Sequence, residues 1–172
     1  MLAAVALQPG AWDPTEGVLD DVHLSDLAIQ NVSTPFHFAL KGNNTVGSIE
    51  VRKVQARNVY RAPCTIESWN AHPFTNVVFS DVTIEFAGGG TEQDARLPIK
   101  PPGVDAGKLP IWGFYARNVE NLTLENVSIK AQKYLRIGNA KGLVFKNVKV
   151  EVEKGDSMLI EDAVEGEGLA KK

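Results

Sequence analysis

The stretch Leu122-Thr-Leu-Glu-Asn-Val127 decides the fold, because the chain writes its pattern five times. The template is apolar–x–apolar–x–turn residue–Val. The other copies read Leu27-Ala-Ile-Gln-Asn-Val32, Ile49-Glu-Val-Arg-Lys-Val54, Val77-Val-Phe-Ser-Asp-Val82 and Leu143-Val-Phe-Lys-Asn-Val148. Their first apolar positions stand 22, 28, 45 and 21 residues apart. A one-strand unit recurring at roughly 20–30 residues has the spacing of a solenoid. Within one copy, Leu122 and Leu124 lie two apart and share a face, with Thr123 and Glu125 on the other. Asn126 then breaks the alternation, since Asn tolerates left-handed backbone angles and can turn the chain sharply. Val127 resumes the inward series. Two short strands joined by an Asn corner make one side of a coil, and a coil buries its apolar face only by stacking on another. The pattern predicts an all-β fold, a right-handed single-stranded parallel β-helix of about five to six coils with one long loop insertion.

Composition agrees with that reading. At 172 residues a single domain with a substantial core is expected over 1–172. Nineteen valines against two methionines, with no long helical period, favour strands. The net charge of −3 argues against nucleic acid as a partner. Charge is uneven, since residues 1–40 hold five acids and no Lys or Arg. The single cysteine, Cys64, excludes an internal disulfide. His23, His37 and His72 share no ligand spacing, so no metal or cofactor is expected. No stretch reaches the ~18 apolar residues of a spanning helix, so no membrane partner is expected. Met1–Leu7 lacks the basic flank of a secretory signal and reads as a first strand or edge cover. The expectation is a soluble protein, cytoplasmic or secreted as part of a larger product. Four Asn-x-Ser/Thr sequences, at Asn31, Asn43, Asn121 and Asn126, read as corner asparagines followed by strand residues.

Three segments depart from the repeat. Residues 1–21 carry Pro9-Gly10, Asp13-Pro14 and Glu16-Gly17, and read as an irregular lead-in covering the first coil. In Phe36-His-Phe-Ala-Leu40 the aromatic residues alternate inward, which sends His37 outward to the surface. Residues 87–110 hold five glycines and four prolines, a density no strand tolerates, and read as a loop insertion inside the 45-residue interval. Residues 161–172 are rich in charge and glycine and read as a tail that covers the last edge. Asn118 and Asn139, 21 residues apart, fall at one coil position and are expected to form an Asn ladder.

Asn31-Val-Ser-Thr-Pro-Phe36, Glu85-Phe-Ala-Gly-Gly-Gly-Thr91 and Leu109-Pro-Ile-Trp-Gly-Phe-Tyr-Ala-Arg117 together resemble the C-terminal coils of bacterial family 28 glycoside hydrolases, the polygalacturonase-like pectinases. The resemblance covers about residues 18–165. It implies a right-handed parallel β-helix and a plant cell-wall polysaccharide or oligosaccharide as partner. The family's catalytic runs, Asn-Thr-Asp, Gly-Asp-Asp, Gly-His-Gly and Arg-Ile-Lys, are absent. Asn44-Thr-Val, Leu19-Asp-Asp and Arg136-Ile-Gly come closest in letters, so no family catalytic residue carries over.

Inverting glycoside hydrolysis needs two carboxyl groups about 6.5–9.5 Å apart. The candidates near the long loop are Glu67, Asp81, Glu85 and Asp94. Binding asks for aromatic faces and for Arg or Lys against uronates. Trp69 and His72 at one coil end, with Trp112, Tyr115 and Arg117 beside the insertion, supply those types. Three functions follow: polysaccharide binding without a complete hydrolytic site, a pectinase-type hydrolase with a rearranged site, or a structural unit. The last would form homo-oligomers by stacking at coil ends.

Overall fold

The computed structural model describes residues 3–11, 16–101 and 111–169. Strand makes up 67% and helix 3%, so the chain is all-β. In chain order the elements are β1 (Ala3–Leu7), β2 (Val18–Leu19), β3 (Val22–Gln30), β4 (Thr34–Leu40), β5 (Thr45–Val46) and β6 (Ile49–Val59). There follow β7 (Cys64–Ser68), β8 (Phe74–Phe86), α1 (Glu92–Ala95), β9 (Trp112–Ala131), β10 (Lys133–Val152) and β11 (Met158–Glu167). Every strand pairing is parallel, and the sheet curls.

Two stacks make up most of this sheet. In one, β1, β4, β7, the start of β9, the start of β10 and β11 lie side by side in that order. In the other, β3, β6, β8 and the later parts of β9 and β10 do the same. A 20-residue strand such as β9 serves both stacks because it bends at Asn118, Asn121 and Asn126, all left-handed with φ of 50°, 58° and 53°. The corner residues bond down the stack: Asn147 Nδ2 donates to Asn126 Oδ1 (2.9 Å), and Asn126 Nδ2 to Asp81 Oδ1 (3.0 Å). Asn139 Nδ2 donates to Asn118 Oδ1 (3.3 Å), the ladder expected from their 21-residue spacing.

The repeat register differs at its first copy. Leu27 pairs with Val54 and Val22 with Ile49, so the unit equivalent to Ile49–Val54 is Val22-His-Leu-Ser-Asp-Leu27. Val22–Leu27 fits the template with Leu in place of the closing Val, and Leu27–Val32 fits it in full, because the chain turns twice in this region, at Asp26 (φ 56°) and again at Asn31 (φ 57°). The second corner has its own ladder, with Asn58 Nδ2 donating to Asn31 Oδ1 at 2.6 Å.

The core is the inner face of both stacks. Phe79 touches Phe36 and Phe114 edge-on, with centroids 5.7 and 5.8 Å apart, and Leu122, Leu124, Leu135 and Leu143 are fully buried. Leu27, Val32 and Val148 are only partly buried, contrary to expectation. They belong to β3, the turn after it and the end of β10, where no further strand lies over them among the described residues.

The ends are more regular than the sequence suggests. The lead-in contributes two paired strands, β1 against β4 and β2 against β5. The tail contributes β11, paired from Met158 to Glu167 with β10. Glycine permits that contact at Gly166, where a Cβ would come within 2.5 Å of the Leu143 Cβ. The insertion holds α1, a single turn closed by a capping box in which Thr91 accepts from the Asp94 amide and the Asp94 carboxylate accepts from the Thr91 amide. Residues 102–110 of the insertion lie outside the described residues. No helix among the described residues is long and apolar enough to cross a membrane.

Candidate functional site

Parallel stacking in register turns strand alternation into rows of side chains. On the first stack the inner face carries Phe36, Phe38, Ile66, Phe114, Ala116, Leu135 and Ile137. The alternate residues therefore line the opposite, outer face. One outer row runs His37, Thr65, Tyr115, Arg136 and Leu159, and the next runs Ala39, Glu67, Arg117, Gly138 and Glu161. Seven of these ten side chains are polar or charged and chemically capable. They form the candidate site.

Glu67 is its buried centre, 4% exposed. Trp69 Nε1 donates to Glu67 Oε2 at 2.6 Å, and His37 Nε2 stands 3.3 Å from Oε1. The Gln8 amide donates to His37 Nδ1 at 3.0 Å, which leaves Nε2 as the ring nitrogen nearest Glu67. His37 is 5% exposed, which corrects the surface placement. Alternation put it on the outer side, as found, but Gln8 and Glu67 close over the ring.

Arg117 lies opposite Glu67 in register and places its guanidinium 3.9 Å from the centroid of the Trp69 ring. It forms no ion pair among the described residues. Burial first, and the charge of Glu67 second, hold the Tyr115 phenol above its ordinary range, opposed by Arg117 and Arg136. Arg136 is held by a fork of two bonds to Glu161, 2.6 and 2.7 Å, and lies 4.4 Å from the Trp112 ring centroid. The Thr65 hydroxyl, between His37 and Tyr115 in the row, is buried and has no hydrogen-bond partner.

The residues expected from sequence divide sharply. Glu67, Trp69, Tyr115 and Arg117 come together. Trp112 joins them as a packing residue, 1% exposed, enclosed by Tyr115, Tyr134 and Arg136, with Nε1 donating to the Ala95 carbonyl (3.1 Å). His72 is exposed in the turn before β8, and only its backbone bonds, to Ser68 and Asn70. Asp81 is a corner of the Asn ladder, exposed and bonded to Asn126. Glu85 is exposed near the end of β8, opposite Lys130. Asp94 caps α1. Among the described residues no group of three or more His, Cys, Asp or Glu is arranged to hold a metal.

Sequence reasoning missed Arg136, Tyr134 and Glu161. A signal existed for the first. Arg136 follows Tyr115 by 21 residues, the same step that separates Asn118 from Asn139.

Two carboxylates share the outer face, Glu67 and Glu161, in one row with Arg117 and Gly138 between them. Three strand spacings put them on the order of 14 Å apart, well beyond the reach of an inverting pair. Comparison with protein-family models, with curated proteins and with solved structures finds no match.

Proposed function

We propose that the chain is a right-handed single-stranded parallel β-helix that binds an acidic plant cell-wall polysaccharide or its oligosaccharides, without a complete hydrolytic site of its own. The right hand follows from the strong preference of parallel crossovers within one sheet. The observation that carries the binding reading is Arg117. Arg117 is partly exposed, its guanidinium lies over the Trp69 ring, and it has no carboxylate partner among the described residues. A guanidinium oriented by an aromatic ring can take a uronate carboxylate in two parallel bonds. Glu67 fixes the other end of Trp69 through the indole N–H, so the pair is preorganised. Trp69, Arg117, Tyr134 and Arg136 keep exposed surface on this face; Trp112 and Tyr115 support it from beneath.

Titration of uronate oligosaccharides followed by tryptophan fluorescence tests this directly. Saturable binding that weakens at least about ten-fold in Arg117→Gln and is lost in Trp69→Ala is expected, a factor of ten being ~1.4 kcal/mol. Silence at millimolar ligand rejects it. The purified chain is expected to release no reducing ends from polygalacturonate, because its outer-face carboxylates are too widely spaced. Release that persists through repurification and disappears in Glu67→Gln would instead favour the rearranged hydrolase.

A structural role has one observation in its favour. β3 pairs only with β6, leaving its other edge open among the described residues. A sedimentation series showing concentration-dependent association would give that edge a partner; a monomer throughout removes this reading.

A further inference from the structure

A cleft of about 150 Å³ opens between the Tyr60–Ala62 turn, which joins β6 to β7, and the Gly88–Gly90 run at the start of the insertion. It belongs to neither outer row of the first stack. Phe86 and Ile111 give it apolar walls, and Tyr60, 51% exposed, gives it an aromatic ring still open to solvent. Arg61 lines it as well. Its side chain is exposed and forms no ion pair among the described residues, and its amide donates to the Ser33 carbonyl at 3.2 Å.

The glycine run adds donors. Ala87 and Gly90 use their amides, to the Val59 carbonyl (2.8 Å) and to Gln132 Oε1 (2.8 Å). The amides of Gly88 and Gly89 between them donate to no described residue. Both glycines sit at positive φ, 76° and 90°, a conformation L side chains resist, and nothing lies within 4 Å of where a Gly89 Cβ would be, so the backbone there is open to a ligand. Asp94 also lines the cleft, and its carboxylate is engaged by the Thr91 amide and hydroxyl at 2.7 and 2.9 Å.

We infer that this cleft binds a six-membered ring bearing one carboxylate. The ring lies against Tyr60 and the apolar walls, and the carboxylate meets Arg61 and the two glycine amides. A void of about this volume takes one benzene-sized ring. The chemistry is shared by aromatic acids and by single sugar acids, and it does not depend on oligosaccharide binding at Trp69 and Arg117.

Ligand-observed NMR titrations with benzoate and with glucuronate, each beside its uncharged counterpart (benzyl alcohol, glucose), decide the matter. Saturable binding of at least one acid is expected, about ten-fold tighter than its neutral counterpart. Arg61→Gln should weaken it about ten-fold and Tyr60→Ala about three-fold, and both side chains are exposed enough to change without unfolding the chain. Preference for benzoate identifies an aromatic acid, and preference for glucuronate a sugar acid. Trp69→Ala should leave this binding unchanged. Equal affinity for acid and neutral ligand, no effect of Arg61→Gln, or no saturation at millimolar ligand overturns the assignment. Loss in Trp69→Ala alone moves the ligand to the outer face, which sinks the cleft and leaves the oligosaccharide reading standing.

Discussion

At the scale of single residues, the corners and the buried polar groups carry most of the information. Asn and Asp at left-handed φ were legible as turn residues, and their stacking followed from equal spacing. Their assignment to one of two corner series was not legible, because Val22–Leu27 and Leu27–Val32 share the apolar–x–apolar–x–turn residue–apolar pattern and pairing separates them. Thr65 presents a sharper test. Its hydroxyl is buried without a partner, a state that costs about 1–3 kcal/mol, so Thr65→Val is expected to hold or raise stability by about 1 kcal/mol in urea unfolding. A clear loss would mean the hydroxyl is satisfied in solution. His23 provides the pH dependence. Hydrogen bonds with Asp21 first and Glu50 second raise its pKa above 6.5 in the folded chain. The folded state therefore holds the proton more tightly, and the added stability is complete below the unfolded pKa of about 6.5 and fades as pH rises through the raised folded value. Melting curves from pH 6 to 8 should show a small decline in the native chain that His23→Gln removes. An unchanged slope in the variant would assign the decline to another group.

At the scale of elements, alternation predicted strand faces well and solvent exposure poorly. His37 is the instructive case. It lies on the outer side of β4, yet all seven residues of that strand are buried. A lone strand pattern cannot report what the neighbouring strands and β1 lay over it. The α1 turn was legible in principle, since Thr91-x-x-Asp94 is a capping-box signature; reading Asp94 as a catalytic carboxylate set aside that simpler local role. The core of β9 tests the repeat itself. Leu124 is fully buried and pairs with Phe79 on one side and Phe145 on the other. Leu124→Ala is expected to cost about 2–5 kcal/mol, the range for a buried leucine whose cavity cannot collapse. Because its neighbours are strands held in register on both sides, the upper half of that range is expected. A measured loss under ~1 kcal/mol would place the core elsewhere.

At the scale of the whole molecule, the parallel sheet was written in the period of the repeat, whereas its ends were not. Among the described residues β1 and β11 each pair on one side only, so their sequences need not keep the template's alternation. Glu161–Glu167 reads as a tail for that reason, yet it completes the first stack. β11 closes the edge of β10 over Leu135, Ile137 and Ala140, and Glu161 forks onto Arg136. A chain ending at Asp156 keeps every other pairing but leaves that edge open and Arg136 without its carboxylate. An open parallel edge with a row of unpaired N–H and C=O groups recruits other chains. The shortened chain is expected to melt at lower temperature and to associate in sedimentation at concentrations where the full chain does not. Arg136→Gln in the full chain separates the two contributions, since it removes the ion pair and keeps the edge covered. It should lower stability modestly without association, because a partly exposed pair is worth about 1 kcal/mol or less. A shortened chain that stays monomeric with an unchanged melting temperature would show that β11 lies outside the cooperative unit.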